Sequence, residues 1–191
     1  EVFGGTGNDF IKMGDAADII FGDSGDDWLE GGGQADLMIG DNGDPFQAST
    51  IIGNDVLIGD GGNDDYDSES GDDIMVTGGG IERNEGMLGF DWVIAKGDTS
   101  NGIGNGIDHD MNFTGLLPPT VENNRDRFDL VEGLSGWQFD DILRGDSLNN
   151  AALGGAAGHE LTNIGLITGL QPLLNDFLDT TVTSFNSGNI I

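Results

Sequence analysis

The chain of 191 residues contains no cysteine. That removes a disulfide framework and every form of thiol chemistry. Cationic side chains are nearly as scarce, with six Lys and Arg against 35 Asp and Glu and a formal net charge of −29. A surface of that sign excludes nucleic acid as a partner and disfavours anionic membranes. No apolar run approaches the roughly 20 residues of a membrane-spanning helix, and no secretory signal peptide opens the sequence. HExxH and GxSxG motifs are missing too, which leaves neither a zinc-protease helix nor a nucleophile elbow. The length suits one domain, or one domain with attachments.

What is abundant is glycine and aspartate, and they recur with a period of nine. From Gly4 to Ile94 the chain reads GGTGNDFIK, MGDAADIIF, GDSGDDWLE and GGGQADLMI, then after an interruption (G)NDVLI, GDGGNDDYD, SESGDDIMV, TGGGIERNE and GMLGFDWVI. Each unit follows G-G-x-G-x-D-x-U-x, with U a large apolar residue. Position six holds Asp9, Asp18, Asp27, Asp36, Asp55, Asp64, Asp73, Glu82 and Asp91. Position eight holds Ile11, Ile20, Leu29, Met38, Leu57, Tyr66, Met75, Asn84 and Val93. Only TGGGIERNE departs from the pattern at both places.

Glycines at the head of each unit permit tight turns, and the last three residues form a short strand whose middle side chain points opposite to its neighbours. Two units then make one coil, winding two parallel sheets around the position-eight side chains. Like carboxylates fall on one edge every eighteen residues, as Asp9 over Asp27, Asp18 over Asp36 and Asp73 over Asp91. The interruption at 44–52 keeps the register, so Asp55 stacks below Asp27. Stacked carboxylates repel at low dielectric unless a cation separates them. Carboxylate and turn-carbonyl oxygens suit Ca²⁺, which takes about six to eight oxygens at about 2.3–2.6 Å. The candidate ligands are Asp9, Asp18, Asp27, Asp36, Asp55, Asp64, Asp73 and Asp91 at position six, with the turn glycines Gly5, Gly7, Gly14, Gly25, Gly32, Gly62 and Gly71.

These units resemble the RTX, or haemolysin-type calcium-binding, repeats of secreted bacterial proteins. The resemblance implies a parallel β-roll with Ca²⁺ between successive turns on each edge, and export by type I secretion. The predicted fold is therefore all-β: a calcium-stabilised parallel β-roll of two short-stranded sheets, with loop insertions and a small C-terminal helical cap. Several Ca²⁺ ions are the expected cofactors. The anionic chain repels itself without them, so folding is expected to be coupled to binding.

Four regions are expected. Residues 1–94 form the roll, with Asp44-Pro45 starting the loop at 44–52; this acid-labile bond is read as a surface turn. Positions seven and nine of the odd-numbered units are largely apolar (Phe10, Trp28, Val56, Ile58, Ile74, Val76, Trp92, Ile94), and residues 95–127 are expected to cover that sheet face. His109, between Asp108 and Asp110, is read as a solvated loop histidine, with metal ligation as the alternative. Residues 128–153 regain the repeat, with Asp141 a further candidate ligand; Arg144-Gly145-Asp146-Ser147, an integrin-type tripeptide with its follower, is ascribed to the repeat. Residues 154–191 give a helix after Thr162 and a final strand, capping the roll. The opening at Glu1, almost in mid-repeat, and the close at SGNII read as those of a fragment of a larger protein.

Taken together, EVFGGTGNDFIK, GDNGDPF, GIERNEGMLGFDWV, NRDRFDLVEGLSGWQFDDILRGDS and GHELTNIGLITGL resemble a class of very large secreted bacterial proteins that join haem-peroxidase domains to RTX repeats. Neither histidine here supplies a haem site, so the resemblance implies a parent and not an enzymatic segment. The expected function is a calcium-binding structural module of an exported protein, secreted or at the cell surface, whose partners are neighbouring domains of the same chain. The alternative is an adhesin or ligand-binding module using the apolar face or residues 95–130, its extracellular ligand unknown.

Overall fold

The computed structural model describes residues 1–43, 53–98, 102, 104–115 and 125–148. Three-residue strands at positions seven to nine dominate, because each is bounded on both sides by a Gly/Asp turn that ends it. In chain order the strands are β1 (Val2–Thr6), β2 (Phe10–Lys12), β3 (Ile19–Ser24), β4 (Trp28–Gly33), β5 (Leu37–Ile39), β6 (Val56–Gly61), β7 (Asp65–Asp67), β8 (Ile74–Val76), β9 (Arg83–Glu85), β10 (Trp92–Ile94), β11 (Asp108–Asp110), β12 (Arg127–Asp129), β13 (Gly133–Ser135) and β14 (Ile142–Arg144). Among the described residues there is no helix; the expected cap at 154–191 and Asp44-Pro45 lie outside them.

Alternate strands go to alternate sheets, giving one six-stranded parallel sheet in the order β1-β3-β5-β7-β9-β12 and a second in the order β13-β10-β8-β6-β4-β2. The architecture is the parallel roll expected from the repeat. Partners are eighteen residues apart where units are contiguous, as in Phe10↔Trp28 and Ile74↔Trp92. Across the interruption Trp28 pairs with Val56 and Leu37 with Asp65, so the extra residues leave the register intact.

The position-eight side chains form the core in single file. Ile20, Leu29, Met38, Leu57, Tyr66, Met75 and Val93 are fully buried, and Phe128 and Leu134 extend the column. Polar Asn84 occupies the same inward place in β9 and is also fully buried, donating from Nδ2 to the Arg127 carbonyl at 3.1 Å.

The 95–127 stretch departs from its expected role. Its described part forms β11, which pairs with β14 in a two-stranded parallel sheet, and Met111 joins the core. On the outer face it was expected to cover, Phe10 and Trp28 remain 67% and 40% exposed, and Ile74 is exposed as well. The reason is the strand's own pattern: His109 and Met111 turn inward, so this segment extends the interior of the roll.

Candidate metal centres along the roll edges

Each turn places its position-six carboxylate beneath the preceding turn. On one edge Asp9 donates its backbone N–H to Asp27 Oδ1 (2.7 Å), Asp27 to Asp55 (2.8 Å), Asp55 to Asp73 (2.7 Å) and Asp73 to Asp91 (3.0 Å). Asp91 continues the row by donating to Glu132 Oε2 at 2.9 Å. On the other edge Asp18 donates to Asp36 (2.8 Å), Asp36 to Asp64 (2.9 Å) and Glu82 to Asp126 (3.0 Å). Past the first residue of each row, one oxygen of every accepting carboxylate is thus fixed by backbone, which orients the other.

That second oxygen has no hydrogen-bond partner. Oδ2 of Asp9, Asp27, Asp36, Asp55, Asp64, Asp73 and Asp91 is buried and unsatisfied in every case. A buried, unpaired carboxylate oxygen is costly, and a whole row of them asks for a cation. The space they face is kept open by the first glycine of the turn. A Cβ on Gly22 would stand 2.5 Å from Asp27 Oδ2 and 2.3 Å from the Gly40 carbonyl oxygen. On Gly40 it would stand 2.5 Å from both Asp55 Oδ2 and the Ser68 carbonyl oxygen, and on Gly86 it would meet Asp91 Oδ2 and the Leu130 carbonyl. Carboxylate and carbonyl oxygens therefore converge on one small volume per turn, a donor set that fits Ca²⁺ and no soft metal.

The turn glycines have a second reason to be glycine. A Cβ on Gly71 would lie 1.6 Å from the Gly53 carbonyl oxygen, and on Gly25 and Gly32 it would lie 2.3 and 2.2 Å from the carbonyl oxygens of Gly7 and Gly14. Gly62 meets the Gln34 carbonyl in the same way without a positive φ, so close stacking and not backbone handedness selects it. Gly5 is the reverse case, with φ +99° and open space around it. Position two tolerates other residues at positive φ, namely Asp23, Asp60, Glu69 and Met87.

Burial raises the carboxylates strongly in the metal-free structure. Asp64 is pushed up to about 6, Asp73 to about 7, and Asp55 and Glu132 to about 8, and Asp91 lies well above the usual carboxylate range. Desolvation leads in every case; the neighbouring carboxylates of the row, Asp73 beside Asp55 and Asp36 beside Asp64, add to it.

Three predicted positions differ from the rest. Asp18 opens its row and uses only its backbone there. Asp141 is engaged on both oxygens, by the N–H of Ile107 (3.0 Å) and of Trp137 (2.9 Å), so backbone already occupies it. His109 is not solvated: it is 3% exposed, with Nε2 2.6 Å from Asp98 Oδ2 and 3.3 Å from Asp126 Oδ2. Its neutral form is favoured by burial, but the hydrogen bond to Asp98 and the charges of Asp126 and Asp98 prevail and raise its pKa.

The sequence reading did not find Asp98, Asp126, Glu132 or Asp41. Asp126 and Glu132 complete the rows from 44 and 41 residues away, outside the nine-residue rhythm that identified the others. Asp41 is buried and accepts the Ser70 hydroxyl at 2.7 Å. A position-five row was also missed: Asn8, Asp26, Asn54 and Asp72 each accept the backbone N–H of the next coil. Asn or Asp recurring at position five was the available signal.

The RTX calcium-binding nonapeptide repeat matches this chain in four copies, over residues 1–12, 14–46 and 52–75. No curated protein and no solved structure matches the chain.

Proposed function

Since residues 1–75 of this chain are RTX calcium-binding nonapeptide repeats, we propose that the protein is a calcium-dependent structural module that folds when its edge carboxylates are loaded. Such repeats bind several Ca²⁺ ions and are typical of secreted bacterial proteins. Among the described residues no helix is long and apolar enough to cross a membrane. The observation that carries the reading is the row of buried, unpartnered carboxylate oxygens facing glycine-lined turns. Asp9, Asp27, Asp55, Asp73 and Asp91 hold ions on one edge, and Asp36 and Asp64 on the other, with turn carbonyls such as those of Gly22, Gly40 and Ser68 completing each site.

The bound ion supplies positive charge between rungs. The chain supplies everything else: one carboxylate oxygen tied to the backbone above, the other aimed inward, and no side chain in the way. In a calcium-poor compartment the rows repel and the chain stays open; where calcium is plentiful it closes into the roll. Export in the open state, by type I secretion, and folding outside the cell follow from this scheme. The module then joins neighbouring domains of a longer, non-catalytic stretch of the parent chain.

The exposed outer row of Phe10, Trp28 and Ile74 favours one addition to this reading, a docking surface for such a neighbour or an extracellular ligand. Arg144 of the Arg-Gly-Asp tripeptide is half-exposed and pairs with Asp108 at the surface.

Circular dichroism and light scattering during a Ca²⁺ titration of chelator-treated protein test the proposal, with Mg²⁺ as the control. A steep, Ca²⁺-selective gain of β-structure with compaction is expected. A chain already folded in chelator and indifferent to Ca²⁺ would sink the reading.

A further inference from the structure

The unit that breaks the repeat marks a place where the interior changes character. TGGGIERNE brings Glu82 and Asn84 to positions that elsewhere hold aspartate and a large apolar residue, and both are fully buried. Glu82 directs its side chain toward Asp126, and neither of its carboxylate oxygens has a hydrogen-bond partner. Asp126 Oδ2 is buried without one too, although it lies 3.3 Å from His109 Nε2. Asp98 Oδ2 closes the group at 2.6 Å from the same nitrogen. The ligand atoms of Asp98, His109 and Asp126 all fall within 4.8 Å of one another.

Charge alone makes this arrangement incomplete. Asp98 and Asp126 face one imidazole, so even a protonated His109 leaves one of these two carboxylates uncompensated. Burial beside Asp126 pushes the Glu82 carboxyl up to about 11, so it adds no charge. The nearby guanidinium of Arg125 is committed elsewhere, to the carboxylate of Asp108 at 3.2 Å and its carbonyl at 2.8 Å. Spacing agrees with the charge. Bonds of about 2.0–2.1 Å at tetrahedral angles hold ligand atoms about 3.3 Å apart, close to the Nε2–Asp126 separation, whereas the 2.6 Å between Nε2 and Asp98 Oδ2 is a hydrogen bond that the ion would have to open.

We propose that Asp98, His109 and Asp126, with water as the fourth donor, form a site for one divalent cation of the zinc class, beside the calcium row that Asp126 ends. The imidazole decides the class. Ca²⁺ is held by oxygens alone, whereas a nitrogen with two or three carboxylate oxygens suits Zn²⁺ and its neighbours in the first transition row. This site goes beyond the calcium module and does not depend on its affinities: it ties β11 to the chain before β12 and to the segment after β10 through His109, Asp126 and Asp98, none of which the nonapeptide repeat provides.

The test uses the whole chain saturated with Ca²⁺, to which Zn²⁺ is added against a chromophoric chelator; Co²⁺ reports ligand type through its visible spectrum. One equivalent of Zn²⁺ is expected, with a four-coordinate Co²⁺ spectrum that Zn²⁺ quenches. His109→Gln and Asp98→Asn should each weaken Zn²⁺ by at least about 100-fold, since losing even an outer-shell partner of a ligand costs about 10–100-fold, and leave the Ca²⁺-driven gain of β-structure in place. If His109→Gln fails to fold, Asp98→Asn and the Co²⁺ spectrum of the unaltered chain decide. The proposal is overturned by no Zn²⁺ uptake in saturating Ca²⁺, by uptake that both variants leave unchanged, or by Zn²⁺ that displaces Ca²⁺ one for one. The cluster would then be an internal ion pair or an extension of the calcium row. Because Ca²⁺ is saturating throughout, failure here leaves the calcium reading untouched.

Discussion

Single side chains in this roll serve two rungs at once. Asp27 accepts the Asp9 N–H on Oδ1 and sends its own N–H to Asp55, so its carboxylate borders two adjacent turns. Asp27→Ala is expected to weaken both neighbouring calcium sites and make the titration shallower; an unchanged midpoint and steepness would count against shared sites. Glycine offers a sharper contrast. Gly71 has φ +145° and the Gly53 carbonyl against it, so Gly71→Ala should cost about 1–3 kcal/mol. Gly61 has neither constraint, and Gly61→Ala should stay within about 0.5 kcal/mol, both read from the denaturant midpoint in saturating Ca²⁺. At this scale the periodic positions were legible, because carboxylate and apolar side chains at fixed spacing can mean little else. His109 was not legible, since its burial depends on Asp98 and Asp126, residues 11 and 17 positions away with no shared rhythm.

Strands here are too short to stand alone and gain their stability from the column they enclose. Leu57 is fully buried between neighbouring coils. Leu57→Ala should destabilise the calcium-loaded roll by about 2–5 kcal/mol, measured as a lower denaturant midpoint with the number of bound ions unchanged. The pairing of alternate units into two sheets could be read directly, as could register across the interruption, because the side-chain period of two makes any slip expel the whole column. The fate of 95–127 could not. Its apolar residues suggested a cover, but sequence gives no direction to a side chain, and His109 and Met111 turn into the roll. Asp141, identified by the same cadence as the others, has the glycine of its turn, Gly136, against its Oδ2 but accepts a backbone N–H on each oxygen.

For the molecule as a whole, charge and protons are linked. Unfolded carboxylates titrate near 4, whereas burial holds Asp64 near 6, Asp73 near 7, and Asp55 and Glu132 near 8 in the metal-free roll. Between those limits the folded chain binds more protons than the unfolded one, so the stability of the calcium-free roll falls as pH rises from about 4 to about 8. Calcium must displace the same protons, and its binding therefore tightens over that window. With the roll held folded before Ca²⁺ is added, for example by a stabilising osmolyte, the Ca²⁺ midpoint is expected to be higher at pH 6 than at pH 8, and Ca²⁺ should acidify unbuffered protein at pH 6. From the open chain, whose carboxylates are already ionised, neither effect is expected. A midpoint flat across that range when the roll is folded beforehand would refute the assignment of those carboxylates as ligands. The overall charge of −29 announced a cation-dependent fold; the values that set this window depend on burial depth, which composition does not contain.

The eighteen-residue coil also has a mechanical meaning. Hydrogen bonds between rungs lie along the stack, so tension applied to the ends of the column loads one rung at a time instead of shearing all of them together. Each rung occupies about 4.8 Å of the axis, yet its eighteen residues span about 60 Å when drawn out. Under load such a column lengthens about twelvefold per released coil, in discrete steps, and each step rewinds when ions return. Set between the domains of a long chain, it is a reversible extension spring whose stiffness is tuned by the calcium around it.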